Sequence, residues 1–405
     1  MLGPRIRVAV LGGGFQGACV ALELAARGVR CDLYERNADC LNEASRHNYG
    51  KIHLGFGYAK DPSLETARLM ARGALGFERA LQRWIGSTPS LTARSSFAYA
   101  VHRDGLVDAD AFEAHCKKVS GFLSEASHGK GADYFGSDVL QTPDRMSRAE
   151  LNAEYERDVI TGAIRTPEIA IDPEVLAKLM RAKLDAEAAV SVFTGRTVTH
   201  VKPAKQGLSV ESSQAGAASE EVYDFVVNTL GPGRFAVDAE LGLKPRQPWL
   251  YRFRYLLRAE ADPPQRLRST TIVSGPYGDI VSYGGGAVCL SWYPADMVAT
   301  SKDLTPPPLP AQLTGTKAAE LRDKIVAGLS GIIPDLGSRV KLAKPEITGG
   351  WMVNWGDTDI MDPRSEIHRP FTVGVHRHGP YVSVDTGKLT LAPLFAEQAV
   401  RLMEA

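Results

Sequence analysis

The sequence predicts a mixed α/β chain, α+β overall, in which a discontinuous parallel-sheet domain is interleaved with an antiparallel-sheet domain. Three observations predict it: a strand, glycine turn, helix and strand over residues 6–36, a second apolar strand far downstream that ends in Gly231-Pro232-Gly233, and period-2 alternation over residues 249–294. A chain of 405 residues is long for a single core and suits two domains with a cleft between them.

The first unit is β-α-β. Residues 6–11 form an apolar strand, and a helix over about 16–27 carries Ala18, Ala21, Leu22 and Ala25 on one narrow face, which lets it approach a sheet closely. Gly28 stops the helix, and residues 30–34 return as a strand. Residues 37–61 are polar, glycine-bearing and too long for a plain connection, so they are expected to carry function. Helical periodicity follows over 64–84, a strand over 96–102, a helix over 174–188 and strands at 190–193 and 197–201. Tyr251, Phe253, Tyr255 and Leu257 share one strand face, and Gly284-Gly285-Gly286 separates two further runs, which reads as an antiparallel sheet. The proline run at 306–310 reads as an extended surface loop. The expected division is 1–95, 151–245 and 346–405 for the parallel-sheet domain, with 96–150 and 246–345 forming the other.

Composition excludes several classes. Lys plus Arg and Asp plus Glu both number 47, so no net field favours nucleic acid or anionic lipid. The apolar run at 6–11 is far too short to span a bilayer, no cleavage-site pattern follows it, and a cytoplasmic protein is expected. Five cysteines without CxxC spacing encode neither a disulfide framework nor a thiolate zinc site. His376 and His378, or His47 and His53, lack a third ligand at fixed spacing, so no metal is expected, and no GxSxG argues for hydrolysis.

Gly12-Gly13-Gly14-Phe15-Gln16-Gly17 fits GxGxxG between a strand and a helix. Gly12 permits the turn, Gly14 clears room for a pyrophosphate, and Gly17 allows the helix to pack on the strand. Glu35 ends the next strand, where a carboxylate accepts from a ribose and repels a 2′-phosphate, favouring FAD or NAD over NADP.

Three segments favour FAD by resemblance. GGGFQGACVALELAARGVRCDLYER at 12–36, VVNTLGPG at 226–233 and YVSVDTGKLTLAP at 381–393 resemble the FAD-contacting segments of the D-amino-acid oxidase superfamily, which includes glycine and sarcosine oxidases, glycerol-3-phosphate dehydrogenases and 2-hydroxyglutarate oxidases. An IDP element at 171–173 lies between the first two, and the likeness covers nearly the whole chain. It implies a discontinuous Rossmann-like FAD-binding domain with an antiparallel-sheet substrate domain. It also implies cofactor contacts from Gly12, Gly14, Phe15, Gln16, Gly17, Glu35, Arg36, Val198, Gly231, Gly387, Lys388, Leu389 and Thr390. Residues 44–58, ASRHNYGKIHLGFGY, carry an I-H-x-G core similar to the glycerol-3-phosphate dehydrogenase and 2-hydroxyglutarate oxidase stretch beside the isoalloxazine. That likeness places Ser45, Arg46 and Asn48 near the pyrophosphate or ribityl chain and His53 near the ring, as a general base, a covalent attachment point or a simple hydrogen-bonding residue. Lys388 resembles a sarcosine-oxidase lysine near flavin and substrate carboxylate, the alternative being a solvated loop lysine.

The antiparallel sheet is expected to roof the substrate, with candidates Arg254, Tyr255, Tyr283 and His376. The inward set stays open, because a slip of one residue inverts it. The expected activity is transfer of a hydride from a small polar substrate to flavin N5, with oxygen or another carrier as acceptor. The I-H-x-G likeness favours a CH-OH bond; oxidation at CH-NH of an amino acid or secondary amine is the alternative, and an FAD-binding protein without catalysis is a third.

Overall fold

The computed structural model describes residues 6–87, 91, 97–127, 134–263, 267–339 and 341–404. Its parallel sheet has six strands in the order Gly374–His378, Tyr381–Asp385, Phe225–Asn228, Val8–Leu11, Cys31–Tyr34 and Val190–Phe193. All neighbours are parallel except the outermost pair, Gly374–His378 with Tyr381–Asp385. Strands drawn from both ends and the middle of the chain therefore meet, with Val8–Leu11 between Phe225–Asn228 and Cys31–Tyr34. The helix Phe15–Ala26 is buried over its first ten residues and packs with Ala392–Glu404 and Glu65–Ile85 in one core. That burial follows from its small residues, which bring the helix axis close to the sheet.

The second sheet runs Met297–Ser301, Trp249–Asp262, Ala287–Trp292, Gly278–Ser282, Thr270–Val273, Phe97–His102, Ile160–Thr166 and Asp144–Arg145, with Lys341–Trp355 paired along Trp249–Asp262. It is antiparallel apart from one parallel pair, Thr270–Val273 beside Phe97–His102. Two expected boundaries fall inside this sheet. Ile160–Thr166 pairs with Phe97–His102 although 151–245 was assigned to the other domain, and Lys341–Trp355 crosses the division at 345. A cut there would break a ladder running from Trp249↔Trp355 to Asp262↔Lys341, which leaves paired backbone groups without partners.

The alternation over Trp249–Asp262 decides the inward set. Tyr251, Phe253, Tyr255 and Leu257 are buried in one core that also holds Leu321, Ile325 and Leu329 of the helix Gly315–Ser330. Positions 252, 254, 256 and 258 then point the other way, and Leu256 joins the core shared with the parallel-sheet domain. A three-stranded sheet, Thr197–Pro203, Leu208–Gln214 and Ala217–Tyr223, and a short pair, Lys51–Ile52 with Ile169–Ala170, complete the strands. Among the described residues no helix is long and apolar enough to cross a membrane.

Candidate active site

At the end of Val8–Leu11, Gly12 takes φ +95°, and a Cβ on Gly17 would lie 1.9 Å from the Gly12 carbonyl oxygen. Only glycine lets the helix start that close to the strand. A Cβ on Gly14 would meet Ser45 Oγ at 3.2 Å, and the Phe15 N–H donates to that hydroxyl at 2.8 Å. The first turn carries no acidic side chain, so its partial positive charge is not neutralised from within the helix. Glu35 ends the neighbouring strand, buried, accepting the Gly13 N–H at 3.0 Å and the Asn37 backbone and side-chain N–H groups at 2.8 and 2.7 Å. Burial pushes its carboxyl up, against those hydrogen bonds. Thr229 donates to the Leu11 and Gly12 carbonyls at 2.7 and 3.0 Å and so ties the Gly231 turn, where φ is +58°, to the glycine loop. A helix N-terminus free of carboxylates, a cradle that side chains would fill and a buried carboxylate beside it fit the pyrophosphate and ribose of FAD.

Other expected cofactor residues have partners of their own. Gln16 donates to the Ala392 carbonyl at 3.0 Å and accepts from Thr386 at 2.9 Å, joining the opening helix to the closing turn. Phe15 stacks on Phe77, with centroids 5.9 Å apart. Arg36 pairs with Glu43, Arg46 with Glu174 at 2.8 Å, and Asn48 braces its own loop through the Ala44 and Ser45 carbonyls. Val198 sits in the three-stranded sheet against a cluster containing Tyr34 and Tyr223. Gly387 has φ +61°, and a Cβ there would meet Val373 at 2.8 Å; Leu389 and Thr390 follow in a short turn, Thr390 fully buried.

Between the two sheets lies a polar cluster. The ring of His53 meets Glu168 through Nδ1 at 3.0 Å, and the fully buried Glu168 also accepts the Leu54 N–H at 2.8 Å and the Tyr99 hydroxyl. Burial lowers the His53 pKa, with Glu168 opposing and Lys388 and Lys51 adding to the fall. Burial alone would raise Glu168, but His53, Tyr99 and the Leu54 N–H outweigh it and hold the carboxyl below its ordinary value. Both shifts describe one state, an anionic Glu168 beside a neutral imidazole whose Nδ1–H it receives, which leaves the Nε2 lone pair free. Thr390 Oγ1 accepts the His53 N–H at 2.9 Å and donates to the Lys51 carbonyl at 3.2 Å.

Lys51 is buried and donates to Thr271 at 2.6 Å and to Asp279. Arg254 grips Asp296 with two bonds, 2.6 and 2.9 Å, and Arg258 holds Asp172 at 2.7 Å. Lys388 projects among these groups: burial lowers its pKa, Lys51 and Arg254 lower it further, and Asp279 opposes them. Among the described residues its ammonium forms neither a hydrogen bond nor an ion pair.

Two expected substrate residues lie elsewhere. Tyr255 is on the opposite face of its strand from Arg254, packed on Phe253 with its hydroxyl toward the Ala311 carbonyl. His376 belongs to the edge of the parallel sheet, because Gly374–His378 folds back on Tyr381–Asp385, and burial beside Arg246 and Arg234 drops its pKa to about 4. Tyr283 borders the polar cluster, under the Arg258 guanidinium, but is buried, its hydroxyl on the Tyr49 carbonyl at 3.0 Å. Glu168, Lys51, Asp279 and Asp296 were not singled out in the sequence. For Lys51 a signal existed: it stands two residues before His53, and such positions share a strand face.

A family profile described as FAD dependent oxidoreductase matches residues 7–379. The FAD-dependent monooxygenase FPY4 of Fusarium mangiferae is 24% identical over 275 residues, which cover 67% of this chain and 59% of that protein. Among solved structures, glycine oxidase from Geobacillus kaustophilus aligns with a TM-score of 0.70 at 16% identity, covering 98% of this chain and 95% of that one. L-proline dehydrogenase from P. horikoshii gives 0.67 at 14% identity over 99% and 94% of the two chains. NikD, an unusual amino acid oxidase essential for nikkomycin biosynthesis, gives 0.67 at 17% identity over 98% and 93%. At these identities the structural likeness establishes the fold, while the profile spans nearly the whole sequence: the chain belongs to the FAD-dependent oxidoreductase family, and FAD is its cofactor.

Proposed function

We propose that this protein oxidises the CH-NH bond of a small amino acid or secondary amine. The observation that carries the reading is the pairing, in one polar cluster, of a neutral His53 with a free Nε2 and a Lys388 ammonium that has no partner among the described residues. An amino acid supplies the complement to both: a carboxylate for Lys388 and a proton for His53. Glu168 holds the Nδ1–H, so the acceptor nitrogen stays Nε2 while the substrate ammonium gives up its proton. Arg254, spent on Asp296, is not the carboxylate clamp. The glycine turn, the Phe15–Ala26 N-terminus, Glu35 and the 386–390 turn would hold FAD, which when bound supplies the two-electron acceptor. Release of the oxidised substrate as an imine and its hydrolysis would yield ammonia from a primary amine.

Oxidation at CH-OH was favoured by the I-H-x-G likeness, and the His53–Glu168 pair can take a hydroxyl proton too. The amine reading is supported further by relatives named for glycine, L-proline and amino acids. The test is anaerobic mixing of the FAD-loaded protein with amino acids, secondary amines and hydroxy acids while flavin absorbance is followed, with ammonia measured afterwards. Bleaching by amines is expected. Bleaching by hydroxy acids alone would overturn the proposal, and a flavin that no substrate reduces would make the protein a passive carrier of FAD.

A further inference from the structure

The cluster around Lys388 holds four cations, Lys51, Arg254, Arg258 and Lys388 itself, and the first three already have dedicated acids. Lys51 gives two of its three ammonium protons to Asp279 and Thr271, with the Tyr49 and Phe97 ring centroids 5.2 and 5.3 Å away. Asp279 is itself fixed: it stands opposite Thr271 in the sheet register, accepts the Thr271 hydroxyl at 2.9 Å, and donates its own N–H to Ser291 at 3.2 Å. Arg254 is closed on Asp296, which also accepts the Trp292 N–H at 2.8 Å. Glu168 is taken by His53, Tyr99 and Leu54. With the Arg258–Asp172 pair included, four cations and four anions cancel while His53 is neutral, and among the described residues Lys388 is the positive group of this cluster without a partner.

Among buried groups this arithmetic selects substrates. One carboxylate pairs with Lys388, whereas a second finds only neutralised cations and faces Asp279 and Asp296, where an unpaired charge out of water is costly. Resting on the amine-oxidation reading, we infer that the site takes amino acids or amines with a single carboxylate, and that Asp279 enforces this by holding Lys51. Asp279 is thus a specificity residue: it blocks a second anion subsite that Lys51 would otherwise provide.

The FAD-loaded protein is titrated with propionate and with malonate, unreactive acids of equal carbon count, and binding is read from perturbation of the flavin spectrum and from the rise in melting temperature. Reduction by alanine and by aspartate under anaerobic conditions gives the kinetic counterpart. The wild type is expected to favour the monocarboxylate by about tenfold or more, and Asp279→Asn to shift that ratio about tenfold or more toward the dicarboxylate, the scale of one charge-assisted hydrogen bond. Removing both charges in K51M/D279L is expected to restore the wild-type ranking. This pair also serves if Asp279→Asn alone fails to fold. Malonate binding as tightly as propionate in the wild type, a ratio unmoved by Asp279→Asn, or a paired variant that favours malonate would each overturn the inference. Correct ranking of the acids with no bleaching by any amine would leave it standing and remove only the amine reading.

Discussion

Replacing Glu168 by glutamine changes one atom and forces a decision on His53. Three groups converge on the two oxygens of Glu168: the His53 ring and the Tyr99 hydroxyl on one, the Leu54 N–H on the other. The Leu54 N–H can only donate, so the single glutamine oxygen must turn to it. The amide NH2 then faces the tyrosine hydroxyl and His53 Nδ1, both of which can accept. That arrangement satisfies every buried group, which burial of position 168 demands, but it moves the imidazole proton to Nε2. The ring stays in place and loses the lone pair that would receive the substrate proton. Losing a positioned general base costs about 10²–10⁴-fold in rate, and the same wrong-tautomer logic operates when the orienting aspartate of a serine-protease triad becomes asparagine. The assay is anaerobic stopped-flow reduction of the flavin across pH. The wild-type rate should rise with pH through a pKa below the ordinary 6.5 of histidine and then level off, because the neutral ring is the active form. In Glu168→Gln the plateau should fall by about 10²–10⁴-fold with FAD occupancy unchanged. The remaining acid limb should not move upward, since the anion that favoured the protonated ring has gone. A variant that keeps both the plateau rate and the wild-type profile would refute the reasoning and leave Glu168 a packing residue.

Other consequences are more local. Gly17→Ala drives a Cβ to 1.9 Å from the Gly12 oxygen and should destabilise the fold by about 1–3 kcal/mol or more, read as a lower melting temperature, whereas Gly14→Val should leave the apoprotein nearly as stable but colourless. Lys388→Met should weaken propionate binding at least about tenfold; in the wild type that binding should fade as pH climbs through a lysine pKa lying below the ordinary 10.5, because only the charged ammonium pairs with the acid. His376 titrates near 4 in the fold against an ordinary 6.5, so between those values the unfolded chain binds the extra proton and stability falls as pH drops. His376→Asn should flatten that acid loss in melting temperature and leave flavin reduction unaffected.

What could be read in the sequence was chemistry carried by neighbouring residues. The glycine turn, the helix it opens and Glu35 act within one β-α-β unit, so their spacing alone placed them. The inward face of Trp249–Asp262 could not be placed, since either register gives the same alternation; burial of Tyr251, Phe253 and Tyr255 in one core with residues of the Gly315–Ser330 helix settles it. Glu168 was out of reach for another reason: its partner His53 lies 115 residues away, and nothing local to a Pro-Glu-Ile stretch announces a buried carboxylate. His376 shows the converse error, because a short alternating strand does not say which sheet it joins. Gly379, at φ +60°, turns it back onto Tyr381–Asp385 and away from the roof. Lys388 could be nominated from its segment, but its want of a partner depends on Asp279 and Asp296 being taken by Lys51 and Arg254, all of them remote in sequence.

The residues 386–392 explain why these distant parts act as one site. Thr386 and Ala392 bond the two ends of the Gln16 amide, which fixes the closing turn to the first turn of the dinucleotide helix. Four residues after Thr386, Thr390 receives the His53 N–H and bonds the Lys51 carbonyl, which fixes the same turn to the strand Lys51–Ile52 and to His53 just after it. Lys388 lies between these anchors, so its backbone cannot shift without straining one of them. The rigidity is reinforced from below, where a Cβ on Gly73 would strike the Thr390 carbonyl at 2.8 Å and only glycine admits that approach. The glycine loop, the Lys388 turn and the His53 backbone are thereby held in one hydrogen-bonded frame, the condition the proposed proton acceptor and anion clamp must meet to work on the same small molecule.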